Sequence, residues 1–408
     1  MDEQNMLATR EPSQWYRLLL VTGIILAAVN LRPAITSVGP LLGMIRDDIG
    51  LANWSVGLLT SLPLIAFAVM SPLVPRIARV LTKEYALVVG LALLILGITI
   101  RSITFTVFLF GGTLLAGLGI TFCNVLLPGV IKEKFPLKVA LMTSIYSTVM
   151  TMLAAVASGV SIPLAKGLNL GWNAAMVVWV IPAVLGIVIW IYLGVKNKKQ
   201  QQATLDGTTS KEGEKKHNIW SSPLAWQVAF YMGFQSCWFY ITISWLPEIL
   251  YAYGVDMATA GWMLSFAQFI GVPFSFIIPV IAEKFKSQRG IIVVLGLLGI
   301  GGYCGLLFGS SYLTMVVSII AIGIPLGGNF ALALAFLGMR AENAEQASDL
   351  SGMAQSLGYV LAAIGPLLIG YLFDVTQVWD VPLMTLIIIA VLYSVFGLGA
   401  GRNKHVFD

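Results

Sequence analysis

Residues 196–222 read KNKKQQQATLDGTTSKEGEKKHNIWSS, the one long polar run in an otherwise apolar chain. The run is rich in lysine and has no apolar periodicity, so it reads as a flexible, solvated connector. Before it, apolar runs fall near 17–44, 54–78, 85–105, 107–131, 139–165 and 173–195. After it they fall near 224–250, 258–282, 290–309, 312–338, 349–372 and 381–400. Each is close to the roughly 20 apolar residues that a helix needs to cross a bilayer. None alternates as the strands of a barrel would. The pattern predicts an all-α membrane protein with twelve transmembrane helices in two pseudo-symmetric six-helix bundles. Residues 1–195 and 223–408 form the bundles, and 196–222 is the cytoplasmic linker.

Composition agrees. Of 408 residues, 58% are hydrophobic and 11% charged, whereas soluble domains carry about a quarter charged. The mean hydropathy is +0.88. So few polar side chains cannot cover a globular surface, which excludes a soluble enzyme, a disordered protein and a secreted disulfide scaffold. Cys123, Cys237 and Cys304 lie inside apolar runs and read as small packing residues. His217 and His405 lie outside those runs, so no metal set or histidine-based catalytic set can be assembled in the membrane. No cofactor and no enzymatic activity are expected.

Lysine and arginine set the orientation. With the N-terminus inside, twenty basic residues fall in inside segments and three (Arg46, Arg101 and Lys166) in outside ones. That bias predicts both termini and the linker on the cytoplasmic side of the bacterial inner membrane. The net charge of +5 is then a topology signal, and no nucleic-acid partner is expected. The first apolar run is too long for a cleaved signal peptide. The expected partners are the lipid bilayer and a small-molecule substrate, with the monomer as the working unit.

The two halves repeat. At an offset of 204, Gly57, Ser61, Ser71, Pro75, Ile77 and Ala78 match Gly261, Ser265, Ser275, Pro279, Ile281 and Ala282. Leu153-Ala154-Ala155 recurs as Leu361-Ala362-Ala363, and Asn124 meets Asn329. A duplicated six-helix unit in a membrane protein points to a transporter.

Polar residues inside spans are expensive in lipid and normally face a cavity or another helix. Arg32 stands apart, in mid-span within Asn30-Leu31-Arg32-Pro33-Ala34-Ile35-Thr36. An arginine there costs about 2.5–3.5 kcal/mol on insertion scales, and no acidic side chain lies at similar depth. Pro33 has no N–H to offer the Val29 carbonyl, so the helix should kink. The guanidinium holds freed carbonyls, serves as a planar fork for an anionic or strongly dipolar group, or else snorkels or forms a gating pair. Glu248 and Asp349 sit near span ends and read as interfacial caps.

Uncharged candidates for the cavity are Asn30, Thr36, Asn124, Tyr146, Gln235, Trp238, Tyr240, Gln268, Asn329, Gln355 and Tyr359. Each alone is as well explained by an interhelical hydrogen bond. Together they fall on spans 1, 4, 5, 7, 8, 10 and 11, leaving spans 3, 6, 9 and 12 as lipid-facing supports. Trp238, Phe239 and Tyr240 suit either stacking on a flat substrate or core packing. Glycines 111, 112, 117, 119, 323, 327 and 328 read as close helix packing.

Twelve spans, the duplication and the central linker resemble the major facilitator superfamily across nearly the whole chain. Its signature loop, Gly-x-x-x-Asp-Arg-x-Gly-Arg-Arg, is represented here by Val74-Pro75-Arg76-Ile77-Ala78-Arg79-Val80-Leu81-Thr82-Lys83, which keeps basic residues but not the acid or the glycines. The corresponding loop PVIAEKFKSQR at 279–289 fits better, with Glu283-Lys284 for Asp-Arg. The resemblance makes Arg76, Arg79, Lys83, Glu283 and Lys284 gating-loop residues.

More specific are Leu31-Arg32-Pro33, Gly39-Pro40-Leu41-Leu42, Gly57 to Pro63, and Gly119-Ile120 to Asn124-Val125-Leu126-Leu127-Pro128 with the following Lys-x-x-Phe-Pro. These are similar to the cyanate/2-nitroimidazole (CynX/NimT) transporter family. The resemblance implies a bacterial inner-membrane carrier of small, polar, often anionic compounds. An efflux carrier for neutral nitroaromatic or drug-like compounds is the alternative within transport, and a non-transporting membrane receptor the alternative outside it.

The orientation has a direct check. A single cysteine introduced as Asp206→Cys should resist an impermeant thiol reagent added to intact cells and react once the membrane is opened. Ready labelling from outside would overturn the twelve-span reading.

Overall fold

In the computed structural model, residues 14–50, 53–205, 218–309 and 311–408 are described; they form α-helices, short helical turns and connecting loops, with no strand among them. Sixteen α-helices build the spans, because three of the first six spans are broken. The first span comprises α1 (Gln14–Leu31), α2 (Pro33–Thr36) and α3 (Val38–Ile49), and the second comprises α4 (Asn53–Met70) and α5 (Val74–Leu81). The third to fifth are α6 (Lys83–Arg101), α7 (Thr106–Lys134) and α8 (Val139–Ile162). The sixth is α9 (Gly171–Val177) with α10 (Val180–Leu205). The second half runs without breaks through α11 (Pro223–Ala252), α12 (Met257–Glu283), α13 (Arg289–Phe308), α14 (Tyr312–Met339), α15 (Ala344–Thr376) and α16 (Asp380–Ala400).

Ten helices among the described residues are long and apolar enough to cross a membrane, and the second span, bent by 61° between Ser61–Met70 and Val74–Leu81, makes eleven. The twelfth expected span, the 30-residue α11, is not among them. It carries Gln227, Gln235, Ser236, Tyr231, Tyr240 and Glu248 among its apolar residues. Three of its polar side chains, Tyr231, Gln235 and Thr242, are buried by neighbouring helices rather than offered to lipid.

Local sequence explains where the helices begin. Ser222 caps α11 by accepting the Ala225 N–H, with Pro223 in the first turn. Asp256, Ser311 and Asn343 cap α12, α14 and α15 in the same way. The expected linker is shorter than its sequence suggested. Helix α10 runs on through Leu205, because lysine and glutamine are good helix formers and nothing stops the helix at the membrane surface. The start of this extension is docked: Asn197 Nδ2 donates to Glu84 Oε1 at 2.6 Å, and the Lys196 amine lies 4.9 Å from the Tyr16 ring centroid. Residues 206–217 lie outside the described residues.

Within the first half, α6 packs on α7 and α10, α4 on α7, and α1 on α8 and α10. Within the second, α11 packs on α15 and α16, α12 on α14, and α13 on α14 and α16. Two seams join the halves: α8 against α12 and α14, and α15 against α4 and α7. Helices α7 and α14 occupy corresponding central places and are the most buried spans, with 78% and 72% of their apolar windows covered.

Glycine makes the α6–α7 contact possible. A Cβ on Gly97 would meet the Ala116 backbone, with the Gly112 carbonyl at 2.7 Å, and one on Gly112 would meet the backbone of Arg101, whose Cα would lie at 2.7 Å. Gly111, one residue away, faces open space. Gly97→Ala and Gly112→Ala should therefore lower the thermal midpoint of the purified protein, by an amount equivalent to about 1–3 kcal/mol of overpacking. Gly111→Ala should leave it unchanged, and scanning fluorimetry of the three variants makes the comparison.

Candidate substrate site

The site begins at the break in the first span. Arg32 lies between α1 and α2 with φ −111° and ψ −40°, and Pro33 opens α2. The Ile35 and Thr36 amides both donate to the Arg32 carbonyl at 2.9 Å. The helix is interrupted at Arg32 and again at Ser37, both with right-handed helical backbone angles, and Gln14–Leu41 still runs as one span. Three contacts from neighbouring helices hold the fragment. Thr36 Oγ1 donates to the Ala154 carbonyl at 3.1 Å, Ser161 Oγ to the Ser37 carbonyl at 3.1 Å, and Arg101 Nη1 to the Ala34 carbonyl at 2.6 Å.

The Arg32 guanidinium therefore does not hold the freed carbonyls. Among the described residues it makes no hydrogen bond or ion pair. It points instead at two rings of the other half, 5.3 Å from the centroid of Phe239 on α11 and 5.0 Å from that of Phe330 on α14. Two cation–π contacts of a half-buried guanidinium, each worth about 0.5–2 kcal/mol, offset part of the insertion cost. The Tyr359 hydroxyl is within electrostatic reach of both Arg32 and Tyr240, and Tyr146 is within reach of Tyr359. Phe67 packs on Tyr359 with ring centroids 4.6 Å apart. The Tyr146 hydroxyl is buried and has no hydrogen-bond partner among the described residues.

Gln355 ties the halves together just below this group. Its Nε2 donates to the Asn124 carbonyl and to Ser351 Oγ, at 2.9 and 2.8 Å, while the Asn124 side chain stays half-exposed. Gln235 sits one turn from Phe239 on the same face of α11, its amide donating to the Met232 carbonyl and Ser236 Oγ. Gln268 is half-buried on the face of α12 that also carries Ser275, and Ser275 faces Thr148 of α8 at 3.3 Å.

Other candidates lie elsewhere. Trp238 is 1% exposed, wedged edge-on between Tyr303 and Tyr393 inside the second half. Asn329 accepts from the Tyr231 hydroxyl at 2.9 Å within that same core, so it does not mirror Asn124. Asn30 turns back to donate to the Leu26 carbonyl, and Thr36 is taken up in holding α2. Phe330, Phe67 and Arg101 carry structural weight that the sequence did not single out. Nothing in the sequence distinguishes these two among twenty phenylalanines. Arg101 reads as an outside-loop residue, yet it is 2% exposed.

At the lysine-rich end the residues expected in the gating loops divide. Arg79 reaches across the halves to Glu345 and Asp349 at the start of α15, at 3.0 and 2.5 Å. Asp349 thus pairs with a guanidinium and is not a helix cap. Lys83 pairs with Glu133 at 3.0 Å within the first half. Arg76, Glu283 and Lys284 are exposed, and no ion pair to them is seen among the described residues.

Against known proteins the chain matches widely. Residues 19–363, and in a second match 238–404, fit the Major Facilitator Superfamily. The chain belongs to that superfamily. Within it, the chain is 46% identical over 390 residues to an uncharacterized transporter of Bacillus subtilis (strain 168), covering 95% of each. It is 40% identical to the 2-nitroimidazole transporter of Escherichia coli (strain K12), covering 96% of this chain and 97% of the relative. The cyanate transport protein of the same organism is 23% identical, with coverage of 88% and 90%. Among solved structures, the Major Facilitator Superfamily transporter FucP in its outward conformation aligns with a TM-score of 0.68 at 14% identity, covering 94% of this chain and 98% of that one. The proton:xylose symporter XylE aligns at 0.66, also at 14% identity, covering 96% and 97%. The chain is a multi-pass membrane transporter of the major facilitator fold.

The Arg79 pairs generate a prediction. Arg79→Asp or Asp349→Arg alone should slow transport by at least fivefold while substrate affinity of the purified protein stays within twofold. Combining the two restores most of the rate. Flux in proteoliposomes and equilibrium binding separate the two effects.

Proposed function

We propose that this chain is a secondary carrier that moves a small, flat, polar compound by alternating access, with Arg32 as the docking group. One observation carries the reading. A guanidinium at mid-depth has no carboxylate partner among the described residues and is flanked by two aromatic rings from the opposite half. Such a place suits a planar group with a carboxylate-, cyanate- or nitro-like end. Oxygens of that end meet the fork of Arg32, and Phe239, Phe330 and Tyr359 cover the flat faces. The Tyr146 hydroxyl, buried and unpartnered, is a further donor for the polar end. A neutral nitroaromatic is the second reading, favoured by the rings around Arg32 and by the 40% identity to the 2-nitroimidazole transporter.

The two halves rock about the seams α8–α12 and α4–α15 to expose the site to each side in turn. Both termini face the cytoplasm on the balance of basic residues. The Arg79–Asp349 pair and the Ser356–Ala68 bond, at 2.6 Å, then close the cytoplasmic side. No carboxylate among the described residues lies at the depth of Arg32, so a weak-acid substrate carries its own proton or is exchanged for another solute. The monomer is the working unit.

Arg32→Ala and Arg32→Lys should both fold and insert. Each should bind 2-nitroimidazole and cyanate at least tenfold more weakly than wild type. Loss of a buried charge-assisted contact costs about 2–5 kcal/mol, and lysine keeps the charge but not the planar fork. Equilibrium binding to purified protein is the measurement, and wild-type affinity in Arg32→Ala sinks the docking role. Counterflow in proteoliposomes distinguishes a carrier from a receptor, which would give none.

A further inference from the structure

We propose that Arg101 is a positioning residue for Arg32; this rests on the docking role argued above. Arg101 ends α6 and is 2% exposed. Its Nη1 donates to the Ala34 carbonyl at 2.6 Å, while Nε and Nη2 are buried without a hydrogen-bond partner among the described residues. The one directed contact of this guanidinium is therefore to α2. Helix α2 is a four-residue stretch within the Gln14–Leu41 span, entered at Pro33, which has no N–H to offer the Val29 carbonyl. Its first turn closes on the carbonyl of Arg32, through the amides of Ile35 and Thr36. A force applied at Ala34 thus sets the direction in which Arg32 leaves the backbone.

The seat of Arg101 is equally defined. Its backbone lies against Gly112, where a side chain would collide with it. A buried charge with a single bond is a costly way to fill space. Methionine would fill the same volume without desolvating a cation. The arrangement makes sense when the donor matters more than the packing. Arg101 touches α2 and is not placed among the rings around Arg32, so its effect on substrate is indirect. Thr36 and Ser161 hold the same fragment from α8. Arg101 is the only charged group of the three and the only one on α6.

The test uses the full-length purified protein with 2-nitroimidazole and cyanate as probes. Arg101→Met should weaken binding at least fivefold while the thermal midpoint stays level or rises, because an uncompensated buried charge has gone. Arg101→Lys keeps one donor for the Ala34 carbonyl and should bind within twofold of wild type. Added to Arg32→Ala, the methionine change should cost nothing further, since it acts through Arg32. Hydrogen–deuterium exchange supplies a readout that needs no ligand: residues 33–38 should lose protection in Arg101→Met and keep it in Arg101→Lys. Arg101→Gln, too short to reach the carbonyl, is the second variant should Arg101→Met fail to fold, and the same loss is required of it.

Wild-type affinity in a folded Met or Gln variant, or unchanged exchange over 33–38, overturns the positioning role. So does failure of both to fold, which would make Arg101 a folding residue. Arg32→Ala binding as tightly as wild type, or a wild-type protein that takes neither probe, overturns the docking role instead. The exchange pattern at 33–38 then still reports on Arg101 alone.

Discussion

A guanidinium held in a low-dielectric interior without a carboxylate must find stabilisation in its surroundings. Around Arg32 those surroundings belong to the other half of the molecule. Phe239 and Phe330 supply ring faces, and Tyr359 brings a hydroxyl dipole within reach. The consequence is mechanical as well as electrostatic. A charge on the first half that leans on rings of the second makes the relative position of the halves depend on what else occupies the space around Arg32. A ligand oxygen that competed for the guanidinium would also compete with the contacts between halves.

The broken first span is what lets Arg32 reach that place. A continuous helix would fix the Arg32 side chain on the surface of one straight ladder. Pro33 ends the ladder, and a four-residue segment clamped by Thr36, Ser161 and Arg101 takes its place. Breaks at membrane depth are tolerated where neighbouring helices satisfy the freed groups. Here each clamp comes from α6 or α8, helices of the same half, so the break can travel with that half as a unit.

Duplication shows most clearly at the seams between halves. Ser71 and Ser275 are related by the repeat, and both stand where the halves meet. Ser71 lies against Gly352 of α15, and Ser275 meets Ser147 and Thr148 of α8. The central asparagines have diverged. Gln355 meets Asn124 across the halves at the backbone carbonyl and leaves the Asn124 side chain half-exposed, while the Asn329 side chain is taken up by Tyr231 within its own core. The signature loops have diverged too: Arg79 bridges to α15, whereas Glu283 and Lys284 stay in solvent. Symmetry of the frame thus coexists with asymmetry of the chemistry.

Much was legible in the sequence because lipid is a harsh solvent. Stretches of apolar residues, the lysine-rich run at 196–222, the bias of basic residues and the cost of Arg32 all follow from the chemistry of single segments against a bilayer. Those signals determined the class, the twelve spans and the singular status of Arg32. The kink at Pro33 was equally local. What the sequence left open was direction around each helix axis. Trp238 and Phe239 are adjacent, yet one faces the core of its own half and the other faces Arg32, and only helix packing decides between them. The same holds for Arg101, which by position in the chain belongs to an outside loop. It is buried because Gly97 and Gly112 let α6 and α7 approach closely enough to fold it inward, onto a carbonyl sixty-seven residues earlier in the chain. Spans are written in composition, which one segment carries by itself; sites are written in rotation and approach, which exist only between segments.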